Sequence, residues 1–289
     1  MKTAILTDTN SGILTPEANE LGIYVMPMPV LIDEDVFYEG QNITEEEFYE
    51  ALKSEKRVTT SQPSPGDVLD TWEKLLSEGY DQIVYIPMSS GLSSACETAK
   101  SVADDYEGKV FVADNHRISV TLRPSVITAK RMADRGDDGE SIAAFLEKDA
   151  LNASIYLAVD TLDYLKRGGR VSSAAAALGT LLNIKPILTI QGEKLEPFAN
   201  MRGSMKRCEE RMLEALKQDI EIRFAAVDPK KLMIGLAGAG LTEEEKKSWM
   251  ELGKTYFPDA DLYYDPLSAS VAAHTGPGAV GLGVSVDAP

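Results

Sequence analysis

The sequence predicts a soluble α/β protein built from two domains with largely parallel sheets. Short apolar segments typical of buried strands alternate along the chain with longer segments that begin at helix-capping residues. This alternation indicates layers of helices packed on mainly parallel sheets. A chain of 289 residues is too long for a single minimal core and suits two domains of ordinary size.

The strand predictions depend on runs of β-branched and other apolar residues. The first run, Thr3–Asp8, is typical of a buried strand. Further runs of this character lie at 23–32, 82–88, 109–113, 154–159, 185–190, 195–201, 232–237, 262–264 and 279–286. The turn at 191–193 separates two of these runs and predicts that they form a hairpin.

The helix predictions depend mainly on N-capping residues. Thr44 and Glu47 have the spacing of a capping box, and Ser64 precedes a proline that suits the first helical position. Thr15 is predicted to cap a short helix in the same way. The longer predicted helices cover 44–52, 64–77, 92–105, 118–135, 141–151, 204–217 and 243–257.

We place the domain boundary after residue 153. The N-terminal α/β domain is then 1–153 and the C-terminal α/β domain 154–289. No low-complexity linker marks this boundary, and a crossover of the chain between the domains stays open.

Composition excludes several classes of function. Lys and Arg number 29 against 46 Asp and Glu, and a net charge of −17 argues against nucleic acid as a partner. The sequence shows no apolar run of membrane-spanning length and no signal peptide, so we expect a cytoplasmic protein. Cys96 and Cys208 are widely spaced, which fits a reducing compartment. With only two histidines, neither a metal centre nor a cofactor site is expected.

Two loops rich in hydroxyl groups open predicted helices. The loop 59–64 leads into a helix N-terminus, where hydroxyl and free N–H groups suit an anion. The loop 89–95 follows an apolar strand, and ligands of parallel sheets bind beyond the carboxyl ends of strands. The second loop lacks the Gly-Lys-Ser/Thr end of a P-loop and the Gly-x-Ser-x-Gly of a nucleophile elbow. Either loop can equally be an ordinary capped helix start.

Charged and titratable groups add candidates to the same cleft. His274 precedes a Gly-Pro-Gly turn and could donate to a carboxylate or simply be a core residue. Arg167 and Arg170 flank a Gly-Gly turn, and guanidinium groups match carboxylate and phosphate, although a solvated turn explains them equally well. From the residues alone, the prediction ends at an α/β protein with a hydroxyl-lined cleft.

Six motifs then resemble the DegV family in their order and approximate spacing. They are Thr7–Ser11, Thr60–Ser64, Ser89–Ala95, Tyr164–Ser173, Lys185–Leu188 and His274–Gly278. The resemblance covers essentially the whole chain. It implies two α/β domains with a long-chain fatty acid in a tunnel between or within them. It also implies the fatty-acid-binding subunit of bacterial fatty acid kinase, which presents the acyl group to a separate ATP-dependent kinase subunit. The acyl phosphate formed there serves phospholipid synthesis.

The resemblance implies roles for single residues. Thr60, Ser61 and Ser93 match the hydroxyls that hold the fatty carboxylate, and His274 matches a further member of that network. Arg170 matches a residue of the tunnel rim that faces the kinase or the acyl phosphate, and we expect Arg167 on the same rim.

Two positions depart from the family pattern. Thr9 follows Asp8 where the family usually has serine, and Ser94-Ala95 stands where the family usually has Gly-Thr. Ser94 is the candidate to replace the hydroxyl that Ala95 lacks, so we count it among the ligand-binding residues.

Two other functions stay open. One is a stand-alone lipid carrier or sensor, which has the same site without a kinase. The other is a serine hydrolase that uses Ser93 and His274, but it needs a supporting acid and an oxyanion hole that the sequence does not identify. We expect a binding subunit with no catalytic residues, whose ligand is the fatty acid and whose contact with membranes is at most transient.

Overall fold

The computed structural model describes residues 1–54, 56–178, 184–190 and 194–287. The strands in these ranges are β1 Thr3–Asp8, β2 Tyr24–Met26, β3 Pro29–Ile32, β4 Asp35–Tyr38, β5 Val58–Thr60, β6 Gln82–Ile86, β7 Val110–Val112, β8 Ala153–Ala158, β9 Ile184–Thr189, β10 Glu196–Arg202, β11 Leu232–Gly238, β12 Leu262–Pro266 and β13 Val280–Val286. The helices are α1 Thr15–Leu21, α2 Glu45–Lys53, α3 Pro65–Ser77, α4 Ala95–Ala103, α5 Leu122–Asp134, α6 Gly139–Lys148, α7 Asp163–Gly168, α8 Ser173–Leu178, α9 Met205–Ile222, α10 Glu243–Tyr256 and α11 Ala269–Thr275.

A four-stranded parallel sheet, in the order β2-β1-β6-β7, confirms the predicted α/β class. Its central strands β1 and β6 are buried almost throughout, as parallel strands covered by helices on both faces should be. On one face Trp72 of α3 and Ala99 of α4 pack against Leu6 of β1. On the other face Val126 of α5 belongs to the same cluster as Ile5 of β1.

A six-stranded sheet, in the order β10-β9-β8-β13-β11-β12, is mostly antiparallel, which differs from the expectation of largely parallel sheets. Only β11 and β12 pair in parallel, and they are joined by the 14-residue helix α10. The described part of the connection between β8 and β9 contains two helices of six residues each, and the two strands pair antiparallel.

A three-stranded antiparallel sheet, in the order β4-β3-β5, completes the fold. The single apolar run predicted at 23–32 divides into β2 and β3, which join different sheets. The predicted hairpin is present as the antiparallel pair β9 and β10, whereas its turn at 191–193 lies outside the described residues.

Local capping explains where several helices begin. Thr44 and Glu47 form the predicted capping box of α2, and the Ser64 hydroxyl accepts from the N–H of Asp67 at the start of α3. The prediction for Thr15 is wrong, because Thr15 is the first residue of α1 and Leu14 takes the capping position without a side-chain bond.

The main hydrophobic core lies between the sheets and joins both halves of the chain. Its largest cluster contains Ile5 and Val84 of the parallel sheet together with Leu157 and Ala237 of the six-stranded sheet. All described strands before residue 153 belong to the two smaller sheets and all later ones to the six-stranded sheet. A division into domains 1–153 and 154–289 stays a prediction. Among the helices of the described residues, none has the length and apolar character needed to cross a bilayer.

Glycines of the six-stranded sheet let a short 3₁₀ turn, Ser119–Thr121, press onto its face. A Cβ placed on Gly283 would lie 2.7 Å from Thr121 Cγ2 and 3.1 Å from the carbonyl oxygen of Ser154. A Cβ on Gly235 would lie 2.5 Å from Val120 Cβ. The sheet and the turn are therefore closer than any residue other than glycine permits at these positions.

We expect Gly283→Ala to lower the free energy of unfolding by about 1 to 3 kcal/mol, because the added methyl group overpacks this contact. The control is Gly281→Ala, two residues along the same face of β13, where the nearest atom to an added Cβ is 3.4 Å away. Urea unfolding midpoints measure the effect, and equal midpoints for the two variants would contradict the packing described.

Candidate functional site

Five of the residues predicted to bind or face the ligand converge on one cavity. Thr60 ends β5 and Ser61 follows it, Ser93 precedes α4, Arg170 follows α7, and His274 lies in α11. All five line a cavity with an empty volume of about 810 Å³, a figure that includes the open space at its mouth.

Most of the remaining lining is apolar. The side chains come from both sides of the core and include Ile118, Ile155, Leu157, Leu165, Ile190 and Leu267. A cavity of this size with a few polar groups and an otherwise apolar wall suits an amphiphilic ligand.

A hydrogen bond between Thr60 and His274 forms the centre of the polar group. The Thr60 Oγ1 and His274 Nε2 atoms are 2.7 Å apart, although 214 positions separate the residues. Burial lowers the pKa of His274 to about 4, and the positive charge of Arg170 acts in the same direction. The imidazole is therefore neutral at pH 7, with one N–H and one acceptor nitrogen.

Each glycine of the Gly-Gly turn is required for a separate structural reason. A Cβ on Gly168 would lie 2.1 Å from Nδ1 of His274, so only glycine lets the imidazole approach this backbone. Gly169 has a φ of 68° and caps the C-terminus of α7, its N–H donating to the carbonyls of Leu165 and Lys166. The left-handed conformation there favours glycine.

Arg170 lines the cavity and is hydrogen-bonded to two backbone carbonyls beside it. Its Nε donates to the carbonyl of Leu92 over 3.3 Å, and one Nη donates to the carbonyl of Gly168. These bonds connect the Gly-Gly turn to the loop that carries Ser93. The guanidinium is half-buried and pairs with no carboxylate of the described residues.

Arg167 and Ser94 lie outside the lining of the cavity. Arg167 is exposed, and its guanidinium stacks 4.8 Å from the ring centroid of Tyr164. Ser94 is exposed at the capping position of α4 and makes no side-chain capping bond. Ser93 Oγ, by contrast, accepts from the N–H of Ala95 over 3.2 Å, which leaves its own proton available.

Sequence reasoning missed several lining residues on α11. Ser270 and Thr275 both line the cavity, and Ser270 precedes His274 by one helical turn. Thr275 Oγ1 is buried and has no hydrogen-bond partner among the described residues. The i, i+4 spacing of Ser270 and His274 is the sequence signal that could have identified the helix face.

Hydrogen bonds at the start of α11 hold that face in position. The Ser268 hydroxyl accepts from the N–H of Val271, and a Glu39 oxygen accepts from the N–H of Ala269 over 2.9 Å. Burial raises the pKa of Glu39 to about 7. Helix α11 is therefore anchored to the loop that follows β4.

A buried network at the end of β1 supports the cavity wall. Asn10 lines the cavity, and its Oδ1 accepts from the hydroxyls of Ser268 and Ser270 at 2.7 and 2.5 Å. Asp8 accepts from the N–H groups of Asn10 and Met88, and burial raises its pKa to about 6. The turn-capping interpretation of Asp8 fits these bonds, and Asn10 is the member of this segment that reaches the cavity.

One cluster outside the cavity has potential metal ligands. The donor atoms of Cys96, Glu97 and Asp114 lie within 4.8 Å of one another. Burial raises the pKa of the Cys96 thiol to about 12, and Glu97 is exposed. Three close donors that include an exposed carboxylate do not by themselves identify a metal site.

We expect the His274 imidazole to titrate near pH 4 in an NMR experiment, where only two histidine signals occur. Because its folded pKa lies below the ordinary value of 6.5, the unfolded chain binds more protons over this range. The contribution of neutral His274 to the free energy of unfolding is fully present above pH 6.5 and decreases as the pH falls towards 4. Gly168→Ala should displace the ring and return its pKa towards 6.5.

The matched control for this variant is Gly66→Ala on the exposed start of α3, which should leave the titration unchanged. An unchanged His274 titration in Gly168→Ala would show that the close approach of ring and backbone does not position the imidazole.

Comparisons with known proteins agree with this architecture. The model of the DegV family, a family of uncharacterised proteins, matches residues 2–287. A DegV domain-containing protein of Listeria innocua is 30% identical over 287 residues and covers 99% of both chains. One from Streptomyces coelicolor is 30% identical over 283 residues and covers 98% of both.

Two solved structures are similar over almost the whole chain. A fatty-acid-binding DegV family protein from Thermus thermophilus has a TM-score of 0.86 at 29% identity, covering 99% of this chain and 100% of that one. DegV, a fatty-acid-binding protein from Bacillus subtilis, has a TM-score of 0.85 at 29% identity and covers 99% of both chains. With a family model that spans nearly every residue and a fold shared end to end, this chain belongs to the DegV family.

Proposed function

We propose that this protein binds a long-chain fatty acid in the cavity, with the carboxylate at the polar group around Thr60 and His274. The observation that carries the proposal is a cavity, about 810 Å³ with the open space at its mouth included, whose largely apolar wall carries a group of hydroxyl, imidazole, guanidinium and amide side chains. The fatty-acid-binding relatives from Thermus thermophilus and Bacillus subtilis support it.

The acyl tail supplies most of the affinity. Burying a methylene group contributes about 0.8 kcal/mol, so about 14 of them contribute about 11 kcal/mol before the entropy losses of binding. The polar group then needs only to orient the carboxylate and satisfy its hydrogen bonds.

Neutral donors surround the carboxylate on this proposal. Ser93 has a free hydroxyl proton, the buried hydroxyl of Thr275 lacks a protein partner among the described residues, and the pair of Thr60 and His274 shares neutral donors. Arg170 supplies positive charge, but two of its nitrogens already donate to carbonyls. A carboxylate that is not held by a bidentate guanidinium keeps more of its nucleophilicity.

We further propose that the carboxylate is presented to a separate ATP-dependent kinase subunit. A carboxylate oxygen would attack the γ-phosphorus of ATP, the bond from that phosphorus to the bridging oxygen would break, and acyl phosphate and ADP would leave. Exposed Ser61 at the cavity lining supports access from solvent to the head group. The protein would act as a binding subunit in the cytoplasm, which fits two free, buried cysteines, and would load lipid by transient contact with membranes.

The geometry gives less support to a serine hydrolase. Nε2 of His274 is hydrogen-bonded to Thr60, and Ser93 Oγ accepts a hydrogen bond from the N–H of Ala95 instead of bonding to the imidazole. A hydrolase needs the base within hydrogen-bond reach of the serine and an acid behind the base.

The test is mass spectrometry of lipid extracted from purified protein, followed by addition of a fatty acid kinase subunit and ATP. We expect a bound acyl chain and formation of acyl phosphate, and we expect Ser93→Ala and Thr60→Val to reduce both. Thr71→Val, which removes a hydroxyl on α3 away from the cavity, is the control.

Other outcomes would contradict the proposal or indicate one of the alternative functions. A well-folded protein without an acyl chain contradicts fatty acid binding. Bound lipid without acyl phosphate indicates a carrier or sensor. Turnover of a short acyl ester that Ser93→Ala abolishes indicates a hydrolase.

A second prediction separates a ligand-binding role of Thr275 from a structural one. Because its buried hydroxyl has no partner among the described residues, Thr275→Val should leave the stability of the lipid-free protein unchanged or higher. Loss of a hydrogen bond to a charged ligand should weaken binding by about 1.5 to 3 kcal/mol. Thermal unfolding with and without palmitate measures both, and unchanged stabilisation by palmitate would exclude the contact.

A further inference from the structure

Gly281 lies on the sheet side of the cavity, at the second position of β13. The strand register places it beside Leu157 of β8 and Ala237 of β11, and all three residues line the cavity. Strand β13 is paired on both sides within the six-stranded sheet. Backbone hydrogen bonds therefore hold this part of the cavity wall in place, and it cannot move away to make room for a larger side chain.

Glycine within a strand commonly marks a close approach of another backbone or of a ligand. On this face Gly235 and Gly283 are explained by the 3₁₀ turn, whose Val120 and Thr121 would clash with an added Cβ at 2.5 and 2.7 Å. Among the described residues, the atoms within 4 Å of an added Cβ at Gly281 are Ala237 Cβ at 3.4 Å and the Tyr156 carbonyl oxygen at 3.8 Å. No group of the described residues fills the space above Gly281, which lines the cavity.

We propose that Gly281, with the small side chain of Ala237 beside it, forms a step in the cavity wall that sets how long an acyl chain the protein accepts. The inference rests on the proposed binding of fatty acids and names the residues that select among them. A larger side chain at this position takes cavity volume from the tail, whereas the polar group around His274 is unchanged. Long chains then lose contact or must bend, and short chains still fit.

The experiment uses delipidated full-length protein offered an equimolar mixture of laurate, myristate, palmitate and stearate, with bound lipid measured by mass spectrometry. We expect Gly281→Val to reduce the ratio of bound stearate to bound myristate roughly tenfold relative to the unmodified protein, as overpacking of a rigid wall implies. Gly281→Ala should shift the ratio in the same direction by less. Gly66→Ala, on the exposed start of α3, should bind in the ratio of the unmodified protein.

The outcomes separate this inference from the proposed function. If the unmodified protein binds none of the four acids, fatty acid binding itself fails. If it binds them and both Gly281 variants keep its ratio, or lose all four acids equally while folded, the step does not select chain length. Should Gly281→Val fail to fold, Gly281→Ala decides, because its added Cβ meets no atom closer than 3.4 Å.

Discussion

The imidazole of His274 lies against the bare backbone of Gly168 and bonds to the hydroxyl of Thr60. Through this contact the three-stranded sheet, helix α7 and helix α11 meet at one point. The polar part of the cavity depends on it, since Arg170 follows the Gly-Gly turn and Thr275 follows His274. Burial within this group keeps the imidazole neutral. The site therefore offers neutral hydrogen-bond donors together with the guanidinium of Arg170, which already donates to two carbonyl groups.

Rigid walls surround this polar group. Two glycines of the six-stranded sheet, Gly235 and Gly283, lie where the 3₁₀ turn Ser119–Thr121 packs against it, and Gly281 lines the cavity. Glycine lets the turn approach the sheet closely, and at Gly281 we propose that it leaves room for a ligand. Buried carboxyl groups hold the opposite wall, with Asp8 binding two backbone N–H groups at the end of β1 and Glu39 anchoring α11.

Membership of the DegV family accounts for the order of the motifs, and the structure explains why those residue types stand there. The first glycine of the Gly-Gly turn admits a histidine ring, and the second closes a helix in the left-handed conformation. At the departure Ser94-Ala95, Ser94 is exposed outside the cavity lining, whereas the preceding Ser93 lines the cavity. The apolar wall and the compact polar group would match the two parts of the proposed fatty acid ligand.

The sequence by itself determined the features that depend on neighbours a few positions apart. The capping box of Thr44 and Glu47, the cap at Ser64 and the buried strand β1 are local, and their patterns predicted them correctly. Only the tertiary structure decided that His274 bonds to Thr60 rather than to Ser93, that Arg170 lines the cavity, and that Gly281 faces it. Those contacts depend on strand order and register between segments far apart in the chain, and local patterns of residues carry no information on which distant strands pair or in which direction.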